Sequence, residues 1–434
     1  MARITRRKFL QYSGAGMAGI LASHRAPVFA QANTVHIVRW NDFVPAADKV
    51  LREVFAPEVQ KALGIKLNVE TINANDIPAR ATASIQSGNG PDIFMLLNNY
   101  PHLYASAAVD VSSVAEEVGK AQGGIYDASA QLNKVGGKWV SVPWSVVPAM
   151  IAYRKSWFEE AGAKTFPKTW QEYHALGKKL KAAKHPIGQT LGNTFGDAPT
   201  FTYPFLWSFG GQEVDAKGKV VLNSKETVES VRFMAAFWKD AHDEGGLAWD
   251  DSNNNRAFLS GDISASLNGA SIYVAALNGA DKFKTDKGAP LHTDILHAPL
   301  PAGPKGAHAY HTAFNHMVMK YSKNAKGAIE FLRWAHKKEN YEKWFTVQKG
   351  FAVGPTREWE KHAMWKNDPV MAPFRTGAAA QKRLMGYASQ PDKKAAEGWN
   401  KFIVTVMYAQ ACSGKMKPEE AVKWAAGELG KIYT

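Results

Sequence analysis

The chain has 434 residues, 45% of them hydrophobic and 21% charged. That length exceeds one compact core and points to about two domains, and the composition excludes wholesale disorder. The net charge is +14, and a single cysteine, Cys412, excludes an intrachain disulfide, a four-cysteine zinc site and a cysteine-held iron–sulfur cluster.

Five positive charges, Arg3, Arg6, Arg7, Lys8 and Arg25, lie in residues 1–30, which hold no acid; without them the chain carries +9. Thr5-Arg6-Arg7-Lys8-Phe9-Leu10 precedes a Gly/Ala-rich, weakly apolar stretch to Ala22, and Val28-Phe29-Ala30 supplies the −3 and −1 residues of a cleavage site. The pattern predicts an export signal, cut after Ala30, and the paired arginines resemble those of a twin-arginine signal. No run approaches the ~18 apolar residues of a membrane span. The remaining lysines are scattered, as on the polar helix face of Lys178, Lys179, Lys181 and Lys184, and no basic–aromatic block suggests a nucleic-acid surface.

Val35–Trp40 predicts a strand, and Asp48–Leu63 an amphipathic helix stopped by Gly64. Ile65–Glu70 reads as a strand, Ile77–Gln86 as a helix, and Ile93–Leu97, after Pro91-Asp92, as a buried strand. This alternation predicts an α/β domain with a parallel sheet. The apolar run Trp139–Tyr153 is broken by Pro143 and Pro148, which suits an extended crossover between domains. Thr169 and Glu172 have capping-box spacing before a helix to Ala183. Phe201–Phe209 is dense in aromatics, and Ser224–Gly245 is a long amphipathic helix. Asn255–Leu259 predicts a helix, and Ile263–Asn268 and Asp294–Pro299 predict strands. The Pro/Gly-rich loop Pro299–Ala309 predicts a second crossover. Helices follow at Ala325–Lys337, Glu339–Gln348, Ala395–Ala411 and Pro418–Ile432.

In open α/β sheets ligands bind beyond the carboxyl ends of strands. Here those ends carry Trp40-Asn41-Asp42 and Asn98-Asn99-Tyr100, although Asn and Asp also favour turns in their own right. Trp40 and Trp144 sit beside Asn and Pro and Trp207 within three residues of Pro204 and Gly210, rather than in helical stripes, and aromatic faces suit both sugar rings and protein cores. No nucleophile elbow, P-loop or HExxH motif occurs. His308, His311 and His316 match no metal-ligand spacing, and Glu116-Glu117 and Asp250-Asp251 read as solvated pairs.

Taken in order, several segments resemble the family 1 extracellular solute-binding proteins of ABC importers, the group that includes maltose-binding protein. They are Ser87–Phe94, Val142-Pro143-Trp144, Ile151–Lys155, Phe158–Gly162, Phe166–Trp170, Phe209-Gly210-Gly211, Phe258–Asp262, Leu300–Gly303 and Tyr321–Ala325. The resemblance covers nearly the whole chain after residue 30. It implies a two-lobed α/β fold of the periplasmic-binding-protein type, each lobe a mainly parallel sheet flanked by helices, with a hinge crossed more than once. Residues 31–145 and 304–355 would form one lobe, and 146–303 and 356–434 the other, with a third crossing near Gly354–Thr356. It implies a monomeric periplasmic receptor without catalysis, cofactor or metal, which captures a sugar or polyol and delivers it to a membrane permease. The implied ligand-binding residues are Trp40, Asn41, Asp42, Asn98, Asn99, Trp144, Thr200, Tyr203, Asn268, Tyr273, His311 and Trp399. The chain departs from the family pattern at Asn268–Tyr273 and Tyr310-His311-Thr312, so sugar identity cannot be carried over. Sugar phosphates or other anionic sugars, opines and peptides remain alternative solutes, with Arg375 and Arg383 as candidate anion partners. An exported glycosidase and a metal receptor are the more distant alternatives.

Overall fold

The computed structural model describes residues 33–434. The expected export signal in residues 1–30 lies outside them.

Ten strands occur: β1 (Thr34–Trp40), β2 (Lys66–Ile72), β3 (Ile93–Leu97), β4 (Lys134–Val135), β5 (Lys138–Trp139), β6 (Val142–Val146), β7 (Met150–Arg154), β8 (Ala265–Asn268), β9 (Ile295–Ala298) and β10 (Ala313–Val318). Five of them form a sheet in the order β2-β1-β3-β10-β6. β1 runs parallel to β2 and β3, while β10 is antiparallel to both β3 and β6. A second sheet has the order β8-β7-β9.

The second sheet departs from the mainly parallel pairing expected, because β7 is antiparallel to both neighbours. β7 arrives directly from the other sheet, so it enters against the direction of the strands built locally. The same reason reverses β10 in the first sheet. Ile187 extends the second sheet in parallel alignment with Ala265. Pro143 is accommodated because β6 is an edge strand, where no ladder donor is lost.

Local signals carry the helices. The helix that follows β1 ends at Gly64, whose φ of 66° supplies the left-handed C-cap. Thr169 and Glu172 form the expected reciprocal capping box of the helix Trp170–Ala182. The aromatic stretch folds as the buried helix Asp197–Phe209. It packs with Lys225–Ala241 and Ile403–Cys412 beside the second sheet. The expected continuous helix Ala395–Ala411 is two helices, Lys393–Asn400 and Ile403–Cys412, broken where Phe402 takes φ 55°.

The chain changes sides three times. Residues 147–149 lead straight from β6 to β7. The return lies beyond residue 304: Ala302 and Lys305 still donate backbone bonds to Lys168 and Ser208 on the second side. Crossing follows near Tyr310–Thr312. The last passage lies beyond residue 356, since Trp359 packs on Tyr341 and Phe345, and Trp365 on Phe345, all on the first side. Phe374 then meets His297 of β9.

Beneath the end of β1, Arg39 is almost fully buried between Asp42 (3.0 Å) and Asp48 (3.7 Å). Asp42 also accepts from Val44 N and Gln348 Nε2. Burial outweighs the guanidinium and pushes the Asp42 carboxyl up to about 6. Removing one member of such a cluster leaves an uncompensated buried charge. Arg39→Ala is therefore expected to lower the unfolding free energy by about 3–5 kcal/mol at neutral pH, read from the midpoint and slope of a urea titration.

Candidate functional site

Two adjoining cavities lie between the sheets and share Trp40, Phe43, Phe195 and Asp251. The inner one has about 40 Å³ of space and the outer one about 200 Å³. The first lobe supplies Trp40 from the end of β1, Phe314 from β10, and Phe43 and Phe351 from loops. The second supplies Asn268 and Gly269 from the end of β8, and Phe195, Asp197 and Thr200 around a helix N-terminus. Val147 and Ala149 of the crossing segment floor the inner cavity.

Trp40 is the hub of the aromatic wall. Its ring centroid lies 4.5 Å from Phe314, 5.2 Å from Phe43, 6.0 Å from Phe195 and 6.2 Å from Phe351. Ring faces at this density suit the apolar C–H face of a bound solute.

The polar groups come from the helix that starts at Asp197. Asp251 Oδ2 accepts from Thr194 Oγ1 (2.7 Å) and Gly196 N (3.1 Å), and Oδ1 accepts from Asp197 N (2.7 Å). A carboxylate here complements the orphan N–H groups and positive pole of the helix start. Residue 196 must be small, because a Cβ there would sit 2.7 Å from Asp251 Oδ2. Asp197 accepts one close bond, from Asn254 Nδ2 (2.6 Å). Burial, and then the charge of Asp251, hold the Asp197 carboxyl well above the usual carboxylate range. Burial pushes Asp251 up to about 6 despite its hydrogen bonds. Thr312 lines the inner cavity with a buried hydroxyl that has no partner among the described residues.

Of the twelve residues expected from the sequence, Trp40, Asn41, Thr200 and Asn268 line these cavities. Asn268 is mostly committed to the protein: Nδ2 donates to Asn255, and Oδ1 accepts from Ser271 Oγ and Ile272 N. The other eight do not line them. Asp42 is held by Arg39 behind Trp40. Asn98 binds back to Ala313 at the β3–β10 corner. Asn99 is fully buried, its side-chain amide without a partner among the described residues. Trp144 sits in an aromatic cluster with His316, His336, Tyr341 and Trp344. Tyr203 and Trp399 pack on each other at 5.3 Å, with Tyr310 5.0 Å from Trp399. Tyr273 donates its hydroxyl to Asp368 (2.7 Å). His311 Nδ1–H donates to the Gln381 carbonyl, which leaves Nε2 to accept from Ser129 Oγ. Burial pulls His311 down to about 4, so it is neutral at physiological pH.

Sequence reasoning missed Asp197, Asp251, Thr312 and the phenylalanines. Asp251 is buried, which corrects the solvated reading of the Asp250-Asp251 pair. The signal available was Gly196-Asp197 at the head of an aromatic helix, where acids are favoured. Among the described residues no lysine or arginine lines either cavity, and no group of three His, Cys, Asp or Glu side chains could hold a metal. Arg383 lies over the Tyr387 ring instead.

Three contacts bridge the two sides near the cavities. Phe195 N donates to Asn75 Oδ1 (3.1 Å), Tyr100 Oη to Asn400 Oδ1 (3.3 Å) and Lys349 Nζ to Asn278 Oδ1 (2.5 Å).

The family model for bacterial extracellular solute-binding proteins matches residues 40–342. A curated relative from Deinococcus radiodurans, a probable ABC transporter-binding protein, is 25% identical over 252 residues, 56% of this chain and 57% of that protein. The structure of maltose-bound T. maritima MalE3 superposes with a TM-score of 0.77 at 19% identity, over 92% of this chain and 99% of that one. A solute-binding protein from Agrobacterium radiobacter K84 in complex with ribitol gives 0.73 at 20% identity, over 92% and 98%. These structural matches show a shared fold.

The raised acid at the helix start makes stability pH-dependent with a definite sign. Asp251 holds its proton more tightly folded than unfolded, so its contribution is full below the ordinary value of 3.8 and is lost as pH rises through about 6. Asp251→Asn is expected to flatten that part of the profile. Urea unfolding at steps between about pH 4 and 6.5 should show a smaller fall in stability than in the parent.

Proposed function

This chain belongs to the family of bacterial extracellular solute-binding proteins, and on that premise we propose that it captures a carbohydrate or polyol between its lobes and delivers it to the permease of an ABC importer. The observation that carries this reading is the inter-sheet cavity itself, with an aromatic wall on one lobe and carboxylates and hydroxyls on the other. Such a wall stacks on the C–H face of a sugar or polyol, and the oxygen groups bind its hydroxyls. The structural neighbours bound to maltose and ribitol support the same solute class. Space of about 40 and 200 Å³ favours a single ring or a short polyol over an oligosaccharide.

Family membership makes the chain a binding protein, not an enzyme. The two cavity carboxylates agree with that. Asp251 already accepts three hydrogen bonds from one helix start, Asp197 N among them. The pair therefore stands together rather than opposed across a scissile bond, as glycoside hydrolysis requires. An anionic solute finds no cationic side chain in either cavity among the described residues.

In this reading the lobes close about the three crossings by a hinge motion. Val147–Ala149 is the shortest of them, and the Asn75–Phe195 and Lys349–Asn278 contacts belong to the closed form. The receptor acts as a monomer in the periplasm, exported through the twin-arginine route.

A thermal-shift panel of sugars and polyols tests the solute class. A ligand at ~100 times its Kd should stabilise by ~2.7 kcal/mol, a shift of several degrees. Thr312→Val then tests the site. It removes a hydroxyl with no partner among the described residues, so the free protein should melt no lower than the parent. Affinity for the solute should fall about tenfold, the value of one net hydrogen bond at the upper end of its range. A panel without a single sugar or polyol shift would sink the carbohydrate reading. The export route has its own test: replacing Arg6-Arg7 by two lysines should abolish periplasmic yield, and unchanged yield would refute it.

A further inference from the structure

The cavity carries a charge imbalance that a neutral sugar does not require. Asp197 and Asp251 meet at the start of one helix, where Asp251 Oδ1 accepts from Asp197 N. Asp251 is satisfied by three protein donors, whereas Asp197 takes one close bond, from Asn254. A carboxylate has room for about four. The Asn268 amide also faces it but shares its Nδ2 with Asn255, and among the described residues no lysine or arginine lines the cavity to answer its charge, since Arg39 is occupied by Asp42 and Asp48 behind Trp40.

The other lobe faces this acid pair with aromatic rings. Trp40, Phe43, Phe314 and Phe351 form one contiguous group, and the negative faces of such rings attract cations, most strongly when desolvated. A third group is independent of both. Thr312 Oγ1 is more than nine-tenths buried, without a partner among the described residues and part of the cavity lining, so it can accept a hydrogen bond from a solute.

We propose that the solute carries a protonated amine, its N–H groups donating to Asp197 and Thr312 while its carbon frame lies against Trp40 and Phe314. The solute class is then an amino sugar or an amino polyol. This rests on the carbohydrate-or-polyol reading above and narrows it. An ammonium supplies donors where the protein offers acceptors, and its positive charge favours the ionised form of Asp197 that burial and Asp251 disfavour, which a neutral hydroxyl does not do.

Matched probes separate the two readings. Calorimetric titration of the purified protein at neutral pH would compare each aldohexose with its 2-amino-2-deoxy and 2-acetamido-2-deoxy forms, and each hexitol with its 1-amino-1-deoxy form. At least one free amine is expected to bind tenfold or more tighter than its hydroxyl partner. Acetylation, which removes the charge, should abolish that advantage. Asp197→Asn should abolish it too, while a melting curve checks that the variant is folded. If hydroxyl or acetamido forms bind as well as the amines in the parent protein, the amine proposal is overturned and the sugar receptor stands. If no member of any set binds, the carbohydrate reading falls and the amine proposal with it.

Discussion

One stretch of chain, Val142–Arg154, belongs to both sheets, and that constraint organises the rest of the molecule. It enters as the edge strand β6, passes through three residues and becomes the central strand β7. Those three residues, Pro148 among them, close no hairpin, since β6 pairs with β10 while β7 pairs with β8 and β9, so the segment carries the chain out of one sheet and into the other. The carboxyl end of β1, the start of β10 and the carboxyl end of β8 then meet over Val147 and Ala149. Ligand groups collect there because strand ends are where backbone pairing stops and side chains are free to converge. The same constraint reverses β7 within its sheet, so topology and site have one cause.

Two buried acid systems flank this junction, and they do different work. Asp42 is matched by a guanidinium, a backbone N–H and an amide, so it fixes the turn that carries Trp40. Asp251 is matched by a helix start, so it fixes the segment that carries Asp197 and Thr200. Both carboxyls are raised to about 6, since desolvation exceeds what either set of partners returns. The partners decide the role: a fully paired acid builds the scaffold, and the under-paired Asp197 beside it keeps capacity for a solute.

Local signals made much of the fold legible in the sequence. Gly64, the Thr169–Glu172 box and the apolar strand Ile93–Leu97 depend on neighbours within a few residues, and they stand where the pattern puts them. The reversed pairing of β7 and the late crossings depend on contacts between distant segments, which periodicity does not encode. The site shows the same division. Trp40 and Asn268 were readable because they end strands. Asp42 and Trp144 looked equally suited to a ligand, but Arg39 claims one, and His316, His336, Tyr341 and Trp344 enclose the other. Asp251 read as a surface acid because its three partners, though sequence neighbours of one another, lie more than fifty residues away.

A cavity built this way places its least satisfied groups where the lobes meet. Thr312 lacks a partner among the described residues, and Asp197 lies half-buried beside a like charge. Each such group destabilises this arrangement of the protein alone, by about 1–3 kcal/mol for a buried polar group left unpaired. Bridges such as Asn75 to Phe195 and Lys349 to Asn278 work in the opposite direction. In the proposed closing motion, a solute that satisfies Asp197 and Thr312 adds its full differential affinity to closure. A solute that leaves them unpaired gains the stacking but forfeits the closing. On the proposed reading, selectivity resides in the lobe equilibrium as well as in the contacts, because only a solute with donors in the right places tips it.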